Sequence, residues 1–348
     1  MLAGLGRPRA IHDPGRVLVD LAVAVADGAE CISDVAVLAD QPALFGPVAS
    51  DSTVWRLLDQ LRDQEMAGIA AARAAAREIA WAQRAEVAGT PVPMATAAGA
   101  ELPGLVIDVD ASIVVCHSEK EQAAATFKHS FGYHPILAFL DNSGEFLAGL
   151  LRPGNAGANT AIDHITVLDQ ALAQIPDAHR HGVPVLVRAD GAGCSKAFLA
   201  HIRGRRDQAV RTEFSVGWAV TDRERDIIAR LPVRAWTSAI DADGRHRDGA
   251  DVAELTGLLP AGTLADYPAG TRCWSAGSAL TPAPNSTPSN TTTGGAISAW
   301  PPTPASDNWR SSTPATAPTP GSRTASAPAR TLASAGSPAA RSRSTPPG

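Results

Sequence analysis

Two apolar segments of the chain run into carboxylates. Leu105-Val106-Ile107-Asp108-Val109-Asp110 follows Pro103-Gly104 and carries acids at i and i+2, and Val183 to Val187 runs into Arg188-Ala189-Asp190. In an extended strand, residues two apart point to the same side, so Asp108 and Asp110 should share a face. Asp190 closes a second buried strand. Clustered carboxylates repel unless positive charge sits between them, and in cytoplasmic enzymes that charge is commonly Mg²⁺, held by one or two Asp oxygens plus phosphate oxygens. Two such ions clamp the attacking and leaving oxygens of a phosphoryl transfer. A single aspartate at a strand end is ordinarily a cap on the strand-to-loop transition. The set of three argues for a site.

The elements that would position these acids alternate between strand and helix. Ile136 to Leu140 and Glu145 to Leu151 read as strands across an Asn142-Ser143-Gly144 turn, and Thr160 to Gln174 as a helix. After the Val183 strand come a helix over Ser195 to Arg203, a strand over residues 209 to 220 and a helix over Asp222 to Arg230. Alternation of this kind points to an α/β domain. Upstream, Pro14 to Asp27 shows apolar residues at helical spacing behind a proline. Gly28 to Ala39 gives a short helix stopped by Asp40-Gln41-Pro42, and Thr53 to Gln64 a second, with Trp55, Leu58 and Leu61 on one face. Two short helices joined by a turn suit a helix-turn-helix whose second helix enters a DNA groove, and equally suit a small helical bundle. Ala67 to Val87 continues as an Ala- and Arg-rich helix, and Ala88 to Gly104 reads as a Gly/Pro/Ala-rich linker.

The 348 residues divide unevenly. From Cys273 to Gly348, 60 of 76 residues are Ala, Ser, Thr, Pro or Gly, so this stretch should bury too little apolar surface to offset its chain entropy. The first 272 residues carry 25 basic and 34 acidic side chains, a net charge of −9 that argues against wholesale coating of nucleic acid. Local positive charge remains at Arg7, Arg9, Arg16, Arg56 and Arg62, which phosphates could use. No run approaches the ~18 apolar residues of a membrane span, and Met1 to Arg16 lacks the apolar core of a signal peptide. Cys31, Cys116, Cys194 and Cys273 form no CxxC pair, which argues against zinc and against a disulfide scaffold and fits a reducing cytoplasm. His117, His129 and His134 lack metal-ligand spacing and read as packing or surface residues.

Two resemblances follow from these residues. The strand before Asp108-Val109-Asp110 resembles the first motif of haloacid-dehalogenase-type phosphatases, in which the first Asp is nucleophile and the second general acid. That family also needs a later Lys and an acidic motif after it. Here the lysines are Lys120, Lys128 and Lys196, and no such acidic pair follows Lys196. The second resemblance is broader. VLVDLAVAVADGAECISDVAVLADQPALFGPVASDSTVWRLL, LVIDVDAS, GYHPILAFLDNSGEFLAGLLRPGNAGANTA and VLVRADGAG, in this order, resemble bacterial insertion-sequence transposases of the DDE type, closest to the group numbered thirteen-eighty. The resemblance covers residues 10 to about 270. It implies a ribonuclease-H-like α/β core whose acids bind two Mg²⁺, with Mn²⁺ as a substitute, and cut and rejoin transposon ends. On that pattern Asp110 matches the first catalytic and metal-binding Asp and Asp190 the second, with Asp108 held in reserve for the first position. Arg56, Arg152 and Arg188 are assigned to DNA; Arg152 of Arg152-Pro153-Gly154-Asn155 is equally read as a brace for the site or a structural salt bridge. The implied partner is double-stranded DNA, as terminal inverted repeats and target, with no membrane, a homodimer compatible and a nucleoid-associated cytoplasmic setting.

The chain departs from this pattern at one point. The family places a third acid, a Glu, on a helix after a β-rich insertion, yet no Glu lies beyond Glu254. The tail is therefore read as out of frame. With GC-rich codons, Cys273-Trp274-Ser275-Ala276-Gly277-Ser278-Ala279 shifted by one base reads Val-Leu-Val-Arg-Arg-Glu-Arg from the last base of Arg272. A natural disordered extension is the plainer alternative, since Pro/Thr/Ser tails are common. The expected organisation is a helical DNA-binding region over 1–90, a linker over 91–104, an incomplete ribonuclease-H-like core over 105–207, the start of a β-rich insertion over 208–272 and a disordered tail over 273–348. Function is expected to be that of a transposase defective in strand cleavage, with a non-cleaving DNA-binding remnant or inhibitor of transposition and the phosphatase using Asp108 as alternatives.

Overall fold

The computed structural model of the protein describes residues 3–6, 10–116, 120–277 and 294–298. Arg7, Arg9 and His117 lie outside them, as does the remainder of the stretch read as tail.

The chain begins with short helices around their own core. Helix α1, Pro14–Ala26, starts where Asp13 accepts a hydrogen bond from the Arg16 amide and Pro14 takes the first turn. A 3₁₀ turn over Ile32–Val35 leads into α2, Ala36–Ala39, then α3, Pro42–Phe45, and α4, Asp51–Gln60. Val17, Ala24, Val35, Leu38, Val54 and Leu57 bury against one another between them. The next helix, α5, Asp63–Ala88, begins after a break of two residues, so the single helix to Gln64 that the spacing suggests ends at Gln60 instead. Leu61 is extended, and Asp63 and Glu65 place acids in the new first turn, where the helix dipole favours them.

The stretch read as a linker folds. Strands β1, Ala95–Ala97, and β2, Ala100–Leu102, form a hairpin across Ala98 and Gly99, both at positive φ. Ala95 then buries with Val106 and Leu186. Strand β3, Leu105–Ala111, leads to a small sheet of β4, Val114–Val115, β5, Ala124–Ala125, and β6, Phe131–Tyr133. Then come β7, Ile136–Leu140, β8, Glu145–Leu150, α6, Ala161–Ala173, α7, Asp177–Gly182, and β9, Val185–Ala189. Helix α8, Lys196–Gly204, β10, Thr212–Ala219, α9, Asp222–Ala229, β11, Thr237–Ile240, and β12, His246–Glu254, follow. The last described strands are β13, Arg272–Gly277, and β14, Gly294–Ser298.

One nine-stranded sheet carries most of this, in the order β11-β12-β13-β14-β10-β9-β3-β7-β8. Strands β3, β9 and β10 run parallel, and β7 and β8 return antiparallel beside β3. Alternation along β3 splits its side chains between the faces. Leu105, Ile107 and Val109 join Val185 and Val187 in the main core, covered by Val167, Leu168 and Ala171 of α6 and Phe198, Leu199 and Ile202 of α8. Val106, Asp108 and Asp110 fall on the other face. The tail boundary at Cys273 is a correction: β13 pairs with β12, and β14 seats between β13 and β10. The average composition of the long tail window hid a local Cys273-Trp274 segment whose side chains are buried.

Candidate functional site

The site grows from the register of β3 and β9. Asp108 lies opposite Arg188 and Val109 opposite Ala189, so the next step sets Asp110 beside Asp190 at the carboxyl ends of adjacent parallel strands. The first rung is an ion pair: Arg188 Nε donates to Asp108 Oδ1 at 2.6 Å and Nη2 to Oδ2 at 2.7 Å, while Nη2 also lies 3.2 Å from Asp141. Burial disfavours the Arg188 charge, but the two carboxylates more than offset it and raise its pKa. Both oxygens of Asp108 are thus engaged by a guanidinium, and Arg188, assigned to DNA from sequence, is committed to carboxylates.

The second rung has no arginine. Asp110 is half-buried, and its Oδ1 accepts the Ala111 amide at 2.9 Å. Burial and then the charge of Asp190 raise its pKa, against the Ala111 hydrogen bond and the neighbouring His134. Asp190 is exposed and caps the turn over Gly191–Gly193, accepting the Ala192 amide at 2.8 Å. Strand β10 passes directly beneath that turn: a Cβ on Gly217 would lie 2.7 Å from the Gly191 nitrogen, so only glycine fits.

A buried frame holds this end of the sheet. Arg152 is 4% exposed; its Nε donates to the His134 carbonyl at 2.9 Å, and Nη1 donates to the Gly157 carbonyl at 2.9 Å and to Asp163 at 3.0 Å. Of its three sequence readings, DNA contact, brace for the site and structural salt bridge, the buried pairing with Asp163 is the geometry of the salt bridge. Its Nη2 is buried with no hydrogen-bond partner among the described residues. His134 is buried with Nδ1 3.0 Å from the Ala156 carbonyl, and His164 with Nδ1 3.0 Å from the Thr160 carbonyl. Burial lowers the pKa of His164, with Arg152 acting in the same sense against the Thr160 hydrogen bond and the charges of Asp190 and Asp163. Sequence reasoning left His134 among packing residues and did not single out His164. The Gly132-Tyr133-His134-Pro135 run ahead of β7 was the available signal for the first. Arg56 stands apart on α4, exposed and, among the described residues, bonded to Ser52 of its own helix.

Each Glu after Asp190 is already engaged. Glu213 pairs with Arg203 and Arg206, Glu224 caps Thr221 at the start of α9, and Glu254 pairs with Arg272. Among the described residues no group of three or more His, Cys, Asp and Glu side chains is placed to hold a metal ion. Asp110 and Asp190 supply two carboxylates on neighbouring strands, fewer than the three acids of a two-ion cradle.

The family model for the transposase DDE domain, group 1, matches residues 6–261. The chain belongs to this family. No curated protein and no solved structure matches it. For a DDE transposase domain the two acids at the ends of β3 and β9 are the natural place to look for chemistry. DNA is the partner the family implies, and a divalent ion its usual cofactor. No helix among the described residues is long and apolar enough to cross a membrane.

Proposed function

We propose that the chain descends from the transposase of an insertion sequence, of the group numbered thirteen-eighty, with Asp110 and Asp190 as the first two acids of a ribonuclease-H-like site. The observation that carries this is the unpaired rung: two carboxylates side by side at the ends of neighbouring parallel strands, one with a raised pKa. The strand order β8-β7-β3-β9-β10, three antiparallel strands followed by two parallel ones, supports the ribonuclease-H-like reading. Asp108 is not the first acid on this reading, because Arg188 takes both its oxygens. The same pairing removes the nucleophile of the phosphatase alternative.

Asp110 and Asp190 would hold Mg²⁺ or Mn²⁺, which when bound supplies charge to orient and polarise a DNA phosphate and acidify an attacking water. The protein's own part is to keep the two carboxylates on one rung, with Arg188 fixing the β3–β9 register and Arg152 the loop beside His134. The third acid of the family is missing, and every downstream Glu is engaged, so cleavage should be crippled and DNA binding retained. An out-of-frame tail would account for the loss. The test is Mg²⁺-dependent nicking of terminal-repeat DNA alongside a gel shift with the same duplex. Salt-sensitive binding with little or no cutting is expected; robust cutting abolished by Asp110→Asn and Asp190→Asn would sink the defective reading, and absence of binding the transposase reading itself.

A further inference from the structure

The small sheet of β4, β5 and β6 leaves β3 immediately after Asp110 and returns to β7 through His134, so whatever it presents stands beside the acid pair. It presents an aromatic ring. Phe127 is 64% exposed at the tip of the β5–β6 hairpin, and its ring centroid lies 5.6 Å from that of His134, the histidine whose charge acts on Asp110. Lys128 Nζ sits 5.7 Å from the same Phe127 centroid. The tip is rigidly closed. The Thr126 amide donates to the Ser130 carbonyl at 2.7 Å, and the hydroxyls of Thr126 and Ser130 meet at 2.7 Å. Its base is clamped to the Arg152-Pro153-Gly154 loop, where a Cβ on Gly154 would lie 2.2 Å from the Ala124 carbonyl oxygen.

We propose that Phe127 and Lys128 form a stacking platform for an unpaired DNA base next to the phosphate held at Asp110 and Asp190. This rests on the transposase reading and adds to it the state of the substrate, a frayed or single-stranded end. An exposed aromatic ring with a cation over its face is a combination that grips single strands: the flexible lysine can swing to the backbone phosphate and leave the ring to the base. Lone exposed apolar residues are ordinary, but a ring fixed on a bonded hairpin tip against a buried histidine of the site is placed. A second copy of the chain is a poor occupant: a convex hairpin tip does not offer the roughly 800 Å² per partner of a stable interface.

The test uses the full chain and oligonucleotides carrying 2-aminopurine at successive positions near the end, as single strands and as end-frayed duplexes. Wild type should quench the fluorophore at one position. Phe127→Ala should abolish that quenching and weaken single-strand affinity about tenfold, Phe127→Trp should restore both, and fully paired duplex should bind all three alike. Quenching that survives in Phe127→Ala overturns the platform while leaving the transposase reading intact. Loss of all DNA binding by wild type overturns both. A monomer–dimer shift in Phe127→Ala by sedimentation would assign the tip to a second copy instead.

Discussion

Asp110 is held half-buried beside another carboxylate, and both burial and that neighbour raise its pKa. A carboxyl that grips its proton more tightly when folded stabilises the fold fully below its unfolded pKa of about 4 and loses that contribution as pH rises through the folded value. Ionisation of Asp110 therefore works against the fold, a cost that the metal-binding role proposed for it would account for. Asp110→Asn should raise Tm at pH 7 to 8 by roughly 1–3 °C, a small shift because solvent still screens a half-exposed carboxylate. The gain should vanish near pH 3.5. Added Mg²⁺ or Mn²⁺ should raise the Tm of wild type at pH 7 and leave Asp110→Asn nearly unmoved. Thermal melts across that pH range decide the matter, and an Asn variant no more stable than wild type at pH 8 would contradict the account. Arg188 explains why the charge problem is confined to one rung: two residues back on the same strand, Asp108 has a guanidinium across both oxygens.

Helix α5 is the element that ties the N-terminal helices to the sheet. It lies along the outer strand β8, whose free edge would otherwise invite pairing with another chain. Arg73 donates to the Phe146 carbonyl on that edge at 2.7 Å. Arg77, 9% exposed, reaches Glu145 at 2.6 Å and Gln174 at 3.0 Å, and Trp81 donates to the same Glu145 at 3.2 Å. Burial opposes the Glu145 charge, yet these bonds outweigh it and lower its pKa. That stabilisation is present above the unfolded pKa and lost as pH falls through the folded one. Arg77→Ala should cost about 3 kcal/mol in urea unfolding, because it strands a partly buried carboxylate. The deficit should narrow in acid; an equal deficit at pH 3.5 and pH 7 would mean lost packing alone. The same region shows what the sequence could and could not reveal. Strands β3 and β9 were legible because apolar runs bounded by turn residues and acids have few other readings. The β1–β2 hairpin was not: its strands are short and alanine-rich, and its turn uses Ala98 at φ 52°, a residue that signals no turn. Asp108, Asp110 and Asp190 were legible as a set because all three sit at the ends of those apolar runs, and the parallel pairing of β3 with β9 brings them together. The Arg188–Asp108 pair stayed hidden because the register of strands 80 residues apart is a tertiary fact.

For the whole molecule the decisive element is β14. Among the described strands it alone joins β10 to β13, so it links the part of the sheet that bears the acids to the β11–β12–β13 arm. The pairings run from Gly294 to Ser298 on both sides, and two of the five residues are glycine, which weakens a strand, so the junction is a weak one. A chain ended after Gly277 should keep the acid-bearing strands folded and expose two strand edges, on β10 and β13. Its unfolding midpoint should fall only slightly, while sedimentation shows increased self-association. The out-of-frame reading makes a stronger forecast for the same junction. A chain whose frame is shifted by one base after Arg272 should begin Val-Leu-Val-Arg-Arg-Glu-Arg where Cys273 begins now, keeping a β-forming start for β13 and running on into charged sequence. If that frame carries the family's third acid, the repaired chain should nick terminal-repeat DNA with Mg²⁺ at least tenfold faster than the present one. Asp110→Asn in the repaired chain should abolish the gain. A repaired chain that is stable and binds DNA, but cuts no better than the present one, would leave the tail as a natural extension and the molecule as a DNA-holding relative of the transposases.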